Sequence, residues 1–255
     1  VRSNEDLTAA IQAAGGAPLT VVYRRSGARH TATLTPTADE SGHYKAGVWV
    51  RDSGAGIGTM SFVDPQHGTF AGLGHSISDA DTGADLTLLS GEIVPVTITG
   101  CIRGAAGSPG ELRGEFAAAP AGTVLANDAA GVYGSYTGSC TAPALPVANL
   151  QEVTPGEAEL WTTVLGTTAQ PYTIQVERVT MTGSDPNRNL LIRVTDKRLL
   201  DATGGVVQGM SGSPIVQNGR LAAVLTHVLV NDPTRGYAIF ATTMLEKADA
   251  VASSK

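Results

Sequence analysis

The run from Gly209 to Pro214, which reads Gly-Met-Ser-Gly-Ser-Pro, carries the residue types best suited to chemistry. Its glycines let the backbone approach a substrate closely and let two backbone N–H groups converge on one point. Acyl transfer requires that geometry, because a hydroxyl attacks a carbonyl while N–H donors stabilise the oxyanion that forms. The run therefore predicts a serine peptidase with Ser211 as nucleophile and the N–H groups of Gly209 and Ser211 as the oxyanion hole.

Ser211 requires a general base, because a free hydroxyl is a weak nucleophile at neutral pH. His75 lies in a glycine-flanked stretch and precedes the serine, which is the order of roles in chymotrypsin. His227 follows the serine, as in α/β-hydrolases, but Ser213 stands where their Gly-x-Ser-x-Gly motif requires glycine. The remaining histidines occur in polar turns and are predicted to face solvent: His30, His43 and His67. We therefore predict that His75 is the base.

The bulk composition restricts the class of protein. Hydrophobic residues make up 42% of the 255 positions, enough for a sizeable core, and 31 glycines suit many tight turns between short strands. A net charge of −6 without a basic stripe argues against nucleic acid as a partner. The apolar stretch around 221–230 is shorter than a membrane-spanning helix requires. Cys101 and Cys140 fit either a disulfide or two thiols, and neither has a neighbouring ligand at metal spacing.

Residues 1–37 form a separate piece of sequence. Ser3 predicts a helix N-cap, the apolar residues Leu7, Ala10, Ile11 and Ala14 share one helical face, and Gly15-Gly16 ends the helix. Two strand-like runs follow, over 19–23 and 31–34. This order, with Val-x-Ser-x-x-Asp-Leu at its start, resembles the C-terminal part of a PDZ domain without the loop and strand that capture a peptide. Residues 38–46 are predicted to be a linker.

From Gly47 onward, short β-prone runs alternate with glycine-containing turns. This pattern predicts an all-β barrel or sandwich that ends in a helix over 242–252. The runs that carry the prediction are Val48–Val50, Thr59–Val63, Ile93–Ile98, Thr173–Val179 and Leu190–Val194.

Several motifs together resemble the SpoIVB peptidase family of spore-forming bacteria, over nearly all of 47–255. They are Trp49–Ser53, Gly56–Thr59, Leu73–His75, Gly209–Ile215, Thr226–Val228 and Asn231–Thr234. The resemblance implies a chymotrypsin-like double β-barrel, an N-terminal PDZ domain, and a secreted signalling protease acting in the extracytoplasmic or intermembrane space of a developing spore. It also implies that the enzyme cleaves itself and a membrane-bound regulator, which switches on an intramembrane protease during sporulation.

The resemblance also places the catalytic nucleophile at Ser211, the catalytic histidine at His75 and the catalytic acid at Asp196. In a double-barrel protease, however, the orienting aspartate usually comes from the first barrel. Three other carboxylates lie where a first-barrel acid would fall, and they remain alternatives: Glu111, Glu115 and Asp128.

Two further expectations concern the substrate and the level of activity. His227 lies on the strand predicted to follow the nucleophile loop and is a candidate for contact with a substrate side chain. We expect no cofactor and no metal, because Asp79–Gly83 only partly matches a calcium loop whose final glutamate would fall on Ser90. The alternative function is a catalytically inactive peptidase fold that serves as a scaffold or binding module.

Overall fold

The computed structural model describes residues 1–79, 81–183 and 185–253. The chain divides into an N-terminal unit, Val1–Gly56, and a C-terminal unit, Ile57–Lys255. This division falls later in the chain than the predicted start of the peptidase domain at Gly47. The domain assignment itself stays a prediction.

The N-terminal unit contains the predicted helix and hairpin. Helix α1 (Asn4–Ala14) begins where the Ser3 hydroxyl accepts a hydrogen bond from the Asp6 N–H, and it ends at Gly15, whose φ is 56°. Strands β1 (Leu19–Arg25) and β2 (Ala28–Leu34) pair antiparallel. A short pair follows, formed by β3 (Thr37–Ala38) and β4 (Tyr44–Lys45). The predicted strand at Val48–Val50 is wrong, since these residues pair with no strand of the described chain.

The first half of the C-terminal unit is a five-stranded antiparallel sheet, called here the open sheet, with strand order β5-β6-β11-β10-β7. Its strands are β5 (Met60–Asp64), β6 (Thr69–Gly72), β7 (Glu92–Ile93), β10 (Gly122–Asp128) and β11 (Gly131–Tyr136). A separate hairpin of β8 (Val96–Ile102) and β9 (Glu111–Phe116) is inserted between β7 and β10.

The second half is a closed barrel of six strands in the order β12-β13-β14-β17-β16-β15. Its strands are β12 (Gly156–Thr162), β13 (Gln170–Val179), β14 (Leu190–Val194), β15 (Pro214–Gln217), β16 (Arg220–Val228) and β17 (Arg235–Phe240). Residues alternate between the core and the outside, so that Leu190, Ile192 and Val194 of β14 are buried. Full burial of such a side chain contributes roughly 1.5–3 kcal/mol.

Helix α3 (Ala241–Ala252) closes the chain where the sequence predicted a helix. Met244 and Ala248 on its inner face pack in one cluster with Tyr133 of the open sheet and with Val224 and Ile239 of the barrel. The two halves of the C-terminal unit therefore share a hydrophobic core. The predicted all-β, chymotrypsin-like class is confirmed, with a closed barrel in the second half and an open sheet in the first.

The sequence left the pairing of the two cysteines open. Cys101 and Cys140 are both free thiols. Within the described ranges, no helix is long and apolar enough to cross a membrane.

Candidate active site

The nucleophile loop connects helix α2 (Lys197–Thr203) to β15. The two serines of its motif, Ser211 and Ser213, differ in how far they are buried. Ser213 is fully buried, and its hydroxyl faces Thr59. Ser211 is only partly buried, and its Oγ donates a hydrogen bond to the Thr226 carbonyl at 2.6 Å. Ser211 is therefore the serine available for chemistry.

Two backbone N–H groups of this loop have no acceptor among the described residues. They belong to Gly209 and Ser211. The neighbouring N–H groups do have backbone carbonyl acceptors: Met210 donates to Val207, Gly212 donates to Leu225, and Ser213 donates to Met210. A pair of unsatisfied donors beside a candidate nucleophile is what an oxyanion hole provides. The role of Gly209 and Ser211 as the oxyanion hole stays a prediction.

Gly212 follows the candidate nucleophile and has a left-handed backbone with φ of 98°. A Cβ atom at this position would lie 1.9 Å from the Thr59 carbonyl oxygen and 2.7 Å from the Leu73 nitrogen. The absence of a side chain thus lets the nucleophile loop lie directly against the segment that leads to His75.

Thr59 ties the nucleophile loop to that segment. Its N–H donates to the Ser211 carbonyl at 2.8 Å, and its hydroxyl donates to the Gly209 carbonyl at 3.2 Å. Its own carbonyl accepts from the Leu73 N–H at 3.2 Å. The sequence motif Gly56–Thr59 drew attention to this residue, but only its contacts indicate what it does.

His75 follows β6, and its ring makes one hydrogen bond within the described chain. Nδ1 lies 2.7 Å from the carbonyl oxygen of Ser76. Because a carbonyl can only accept, Nδ1 carries a proton and donates it. In the uncharged form of the ring, a proton on Nδ1 leaves the free electron pair on Nε2, which is the tautomer that a general base for serine requires.

The structure brings the His75 and Ser211 segments together at Thr226, a buried residue of β16. A Cβ atom on Gly74 would lie 2.9 Å from Thr226 Cγ2, and the Thr226 carbonyl holds the Ser211 hydroxyl. No hydrogen bond joins His75 to Ser211 in the part of the chain described. Transfer of the Ser211 proton to His75 therefore requires the hydroxyl to leave the Thr226 carbonyl.

His227 lies directly beside the candidate base. The centroids of the His75 and His227 rings are 4.8 Å apart, and the ring planes are inclined by 34°. Removal of the His227 ring from water, followed by repulsion from His75 and Arg188, lowers its pKa to about 4, although part of the residue remains exposed at the surface. His227 is thus neutral at physiological pH, and its contact with substrate stays a prediction.

Asp196 lies apart from His75 in the contacts that its carboxylate makes. It caps α2 by accepting from the Arg198 N–H at 2.8 Å, and it also accepts from the Thr173 N–H. The Arg198 guanidinium binds it at 2.7 Å, and this hydrogen bond is the largest cause that lowers the pKa of Asp196 to about 2. Among the described residues, the hydrogen bonds and the ion pair of the Asp196 carboxylate involve neither His75 nor the Ser211 loop. Its role as catalytic acid stays a prediction.

The three alternative acids do not contact His75 either, as far as the chain is described. Glu111 faces Arg113 at 3.5 Å, and Glu115 lies on β9 opposite Thr97. Asp128 accepts from the Ala130 N–H and pairs with Lys247 at 3.2 Å. In the contacts of His75, the backbone carbonyl of Ser76 occupies the place of an acid.

An open sheet and a closed barrel hold a partly exposed, glycine-flanked serine and a glycine-flanked histidine, and both segments meet Thr226; this arrangement is typical of a serine peptidase. Residues 42–245 match the family model described as SpoIVB peptidase S55, and the chain belongs to this family. No curated protein matches the chain.

Solved structures of proteases share limited similarity with the chain. The Rv3671c protease from M. tuberculosis in its active form is 16% identical, with a TM-score of 0.39, over 63% of this chain and 80% of that one. The HtrA-type protease AlgW with a decapeptide is 12% identical, with a TM-score of 0.44, over 97% of this chain and 67% of that one.

Proposed function

We propose that this serine peptidase is an endopeptidase of narrow specificity that acts through an acyl-enzyme on Ser211. His75 Nε2 removes the Ser211 proton, and Oγ then attacks the carbonyl carbon of the peptide bond. The oxyanion binds the N–H groups of Gly209 and Ser211, where one such donor is worth roughly 2.7–4 kcal/mol. The protonated His75 gives its proton to the leaving amine, and water releases the acyl group by the reverse steps.

The observation that carries this mechanism is the hydrogen bond from His75 Nδ1 to the Ser76 carbonyl. It fixes the proton on the nitrogen that is not needed for catalysis. Without that bond, the ring would divide its population between two tautomers, and only one could accept the serine proton.

The biological role that we propose follows from family membership. The peptidase acts after secretion, in the extracytoplasmic or intermembrane space of a developing spore. Its substrates are the chain itself and a membrane-bound regulator, whose cleavage switches on an intramembrane protease. The N-terminal unit is proposed to derive from a PDZ domain.

Mass spectrometry of the purified chain tests the activity. Wild-type protein is expected to cleave itself, or a Ser211→Ala chain supplied as substrate, at one dominant site, and Ser211→Ala alone is expected to keep its mass. Ser139→Ala is the matched control, because Ser139 is exposed and its hydroxyl makes no hydrogen bond among the described residues. Cleavage by Ser211→Ala would contradict the assignment, and cleavage at many sites would contradict narrow specificity.

The second candidate function is an inactive scaffold, and one observation favours it. The Ser211 hydroxyl is held by the Thr226 carbonyl instead of by His75. A scaffold would retain this arrangement and would take up no serine-directed fluorophosphonate, whereas a peptidase would become labelled on Ser211.

A further inference from the structure

In the loop that follows β6, the Ser76 residue that binds His75 makes further contacts that the mechanism above does not use. Ser76, whose carbonyl accepts the His75 proton, donates its own hydroxyl to the Asp85 carboxylate in a short hydrogen bond. The Ser78 hydroxyl donates to the same carboxylate oxygen at 3.0 Å. Asp85 is therefore one hydrogen-bonded residue away from the proposed base.

The two arms of this loop are fastened to each other and to the open sheet. Ser78 and Asp85 form an antiparallel bridge, and the Leu86 N–H donates to the Ile77 carbonyl at 2.9 Å. Asn127 of β10 accepts from the Ile77 N–H at 2.7 Å and donates to the Ile77 and Leu86 carbonyls. The side chain of Asp85 thus sits on an anchored backbone, which lets it hold Ser76 in a fixed orientation.

We propose that Asp85 is a positioning residue for His75 and acts through Ser76. It fixes the Ser76 hydroxyl, and with it the peptide group whose carbonyl receives the His75 Nδ1 proton. Asp85 thereby holds the ring with Nε2 free for Ser211. The two hydroxyl donors lower the pKa of Asp85, so that the carboxylate is an acceptor throughout the neutral range.

This inference rests on the proposed role of His75 as base, and it names the residue that supports that role. It differs from a triad acid, because Asp85 does not touch the imidazole. The effect of removing it is expected to be that of a misplaced base, about 10-fold to 100-fold in rate, because displacements near 1 Å cost on the order of 100-fold. Direct loss of a triad aspartate costs about 10⁴-fold.

The test measures the second-order rate at which a small fluorophosphonate labels Ser211, followed by intact-mass spectrometry. Asp85→Asn and Ser76→Ala are each expected to slow labelling about 10-fold to 100-fold. The double variant is expected to be no slower than the slower single variant, because both substitutions break one interaction. Ser76→Thr keeps the hydroxyl and is expected to label at nearly the wild-type rate. Glu92→Gln is the matched control, because Glu92 is an exposed carboxylate on β7 of the open sheet with no side-chain hydrogen bond or ion pair among the described residues.

A second readout separates positioning from a general loss of stability. Long-range ¹H–¹⁵N NMR of the imidazole distinguishes the two neutral tautomers. The wild-type His75 is expected as the Nδ1–H form, and Asp85→Asn and Ser76→Ala are expected to populate the Nε2–H form while the chain remains folded. Should Asp85→Asn fail to fold, Ser76→Ala provides both measurements.

Labelling at the wild-type rate with an unchanged His75 tautomer in Asp85→Asn or Ser76→Ala would overturn the inference. Rate losses that multiply in the double variant would also overturn it, because they would show two independent effects. In both cases the wild-type chain still labels on Ser211, so the proposed function stands. A wild-type chain that takes up no probe would instead remove the proposed function, and this inference with it.

Discussion

The Ser211 hydroxyl donates a hydrogen bond to the Thr226 carbonyl at 2.6 Å. Thr226 is itself buried, and its hydroxyl shares its single proton between the carbonyls of Asn187 at 2.7 Å and Tyr237 at 3.0 Å, which fixes the side chain. The resting position of the nucleophile is therefore set by the core of the barrel. A bound substrate has to draw the hydroxyl away from this carbonyl and toward His75.

Thr226→Val removes the hydroxyl while conserving shape. The substitution leaves the Asn187 and Tyr237 carbonyls without this donor, and we expect the free energy of unfolding to fall by about 1–3 kcal/mol. Denaturant titration measures the change. Thr99→Val is the control, since Thr99 is exposed and makes only a 3.4 Å hydrogen bond. Equal stability of the two variants would show that the Thr226 hydroxyl does not fix this part of the site.

Gly212→Ala is expected to abolish fluorophosphonate labelling and to destabilise the fold. The new Cβ would meet the Thr59 carbonyl at 1.9 Å, and the backbone at φ 98° disfavours any side chain.

Gly219→Ala separates the two effects in Gly212→Ala. Gly219 also has a positive φ, 73°, but no atom lies within 4 Å of a Cβ at that position. It is expected to cost about 1 kcal/mol of stability and to label normally. Normal labelling of Gly212→Ala would contradict the close approach of the nucleophile loop to Thr59.

The pKa values of His227 and His67 are expected to lie on opposite sides of the ordinary histidine value. The pKa of His227 is lowered to about 4 from 6.5, chiefly by desolvation, whereas hydrogen bonding to Asp64 raises the pKa of His67. NMR titration of the ring protons measures both. A His227 ring that titrates above pH 6.5 would contradict its placement beside His75.

The two shifts have opposite consequences for stability. Between pH 4 and 6.5, the unfolded chain binds a proton at His227 that the folded chain does not. The contribution of His227 to the free energy of unfolding therefore rises with pH in this range and is lost on acidification. The contribution of His67 is present below pH 6.5 and is lost as the pH rises through its raised pKa. Unfolding measurements on His227→Gln and His67→Gln across pH 4 to 8 are expected to show these two slopes removed separately.

Asp196 is expected to act on stability at the start of α2. Asp196→Ala removes the helix cap and the partner of Arg198, and it is expected to cost about 0.5–2 kcal/mol, whereas Asp196→Asn retains a capping oxygen and costs less. If Asp196 acts on stability alone and is not the predicted catalytic acid, labelling of Ser211 in folded Asp196→Asn stays within about threefold of wild type. A loss near 10⁴-fold would instead assign Asp196 as the triad acid.

Local patterns made much of the fold predictable. The cap at Ser3 and the spacing of Leu7 and Ile11 placed α1, and the apolar run Leu190–Val194 matched β14. These signals work because the backbone and the nearest neighbours determine the structure. The run Val48–Val50 has the same β-prone composition but finds no pairing strand among the residues that the structure describes, and strand formation depends on a partner that composition does not reveal.

The site was predictable only in part. Glycine flanks and chain order pointed to His75 and Ser211, because these features are local and their side chains are chemically distinctive. The supporting contacts are different in kind, since the Ser76 and Thr226 groups that bind His75 and Ser211 are backbone carbonyls. Every residue has such a carbonyl, so no residue type marks the one that takes a role in the site.

The most direct test is a crystal structure of the wild-type chain after reaction with a fluorophosphonate. We predict a covalent bond to Ser211 Oγ, a phosphoryl oxygen about 2.7–3.1 Å from the N–H groups of Gly209 and Ser211, and His75 Nε2 within hydrogen-bonding reach of Oγ. An adduct on another residue would contradict the proposed site. So would a Ser211 adduct in which His75 is turned away and Nδ1 no longer donates to the Ser76 carbonyl.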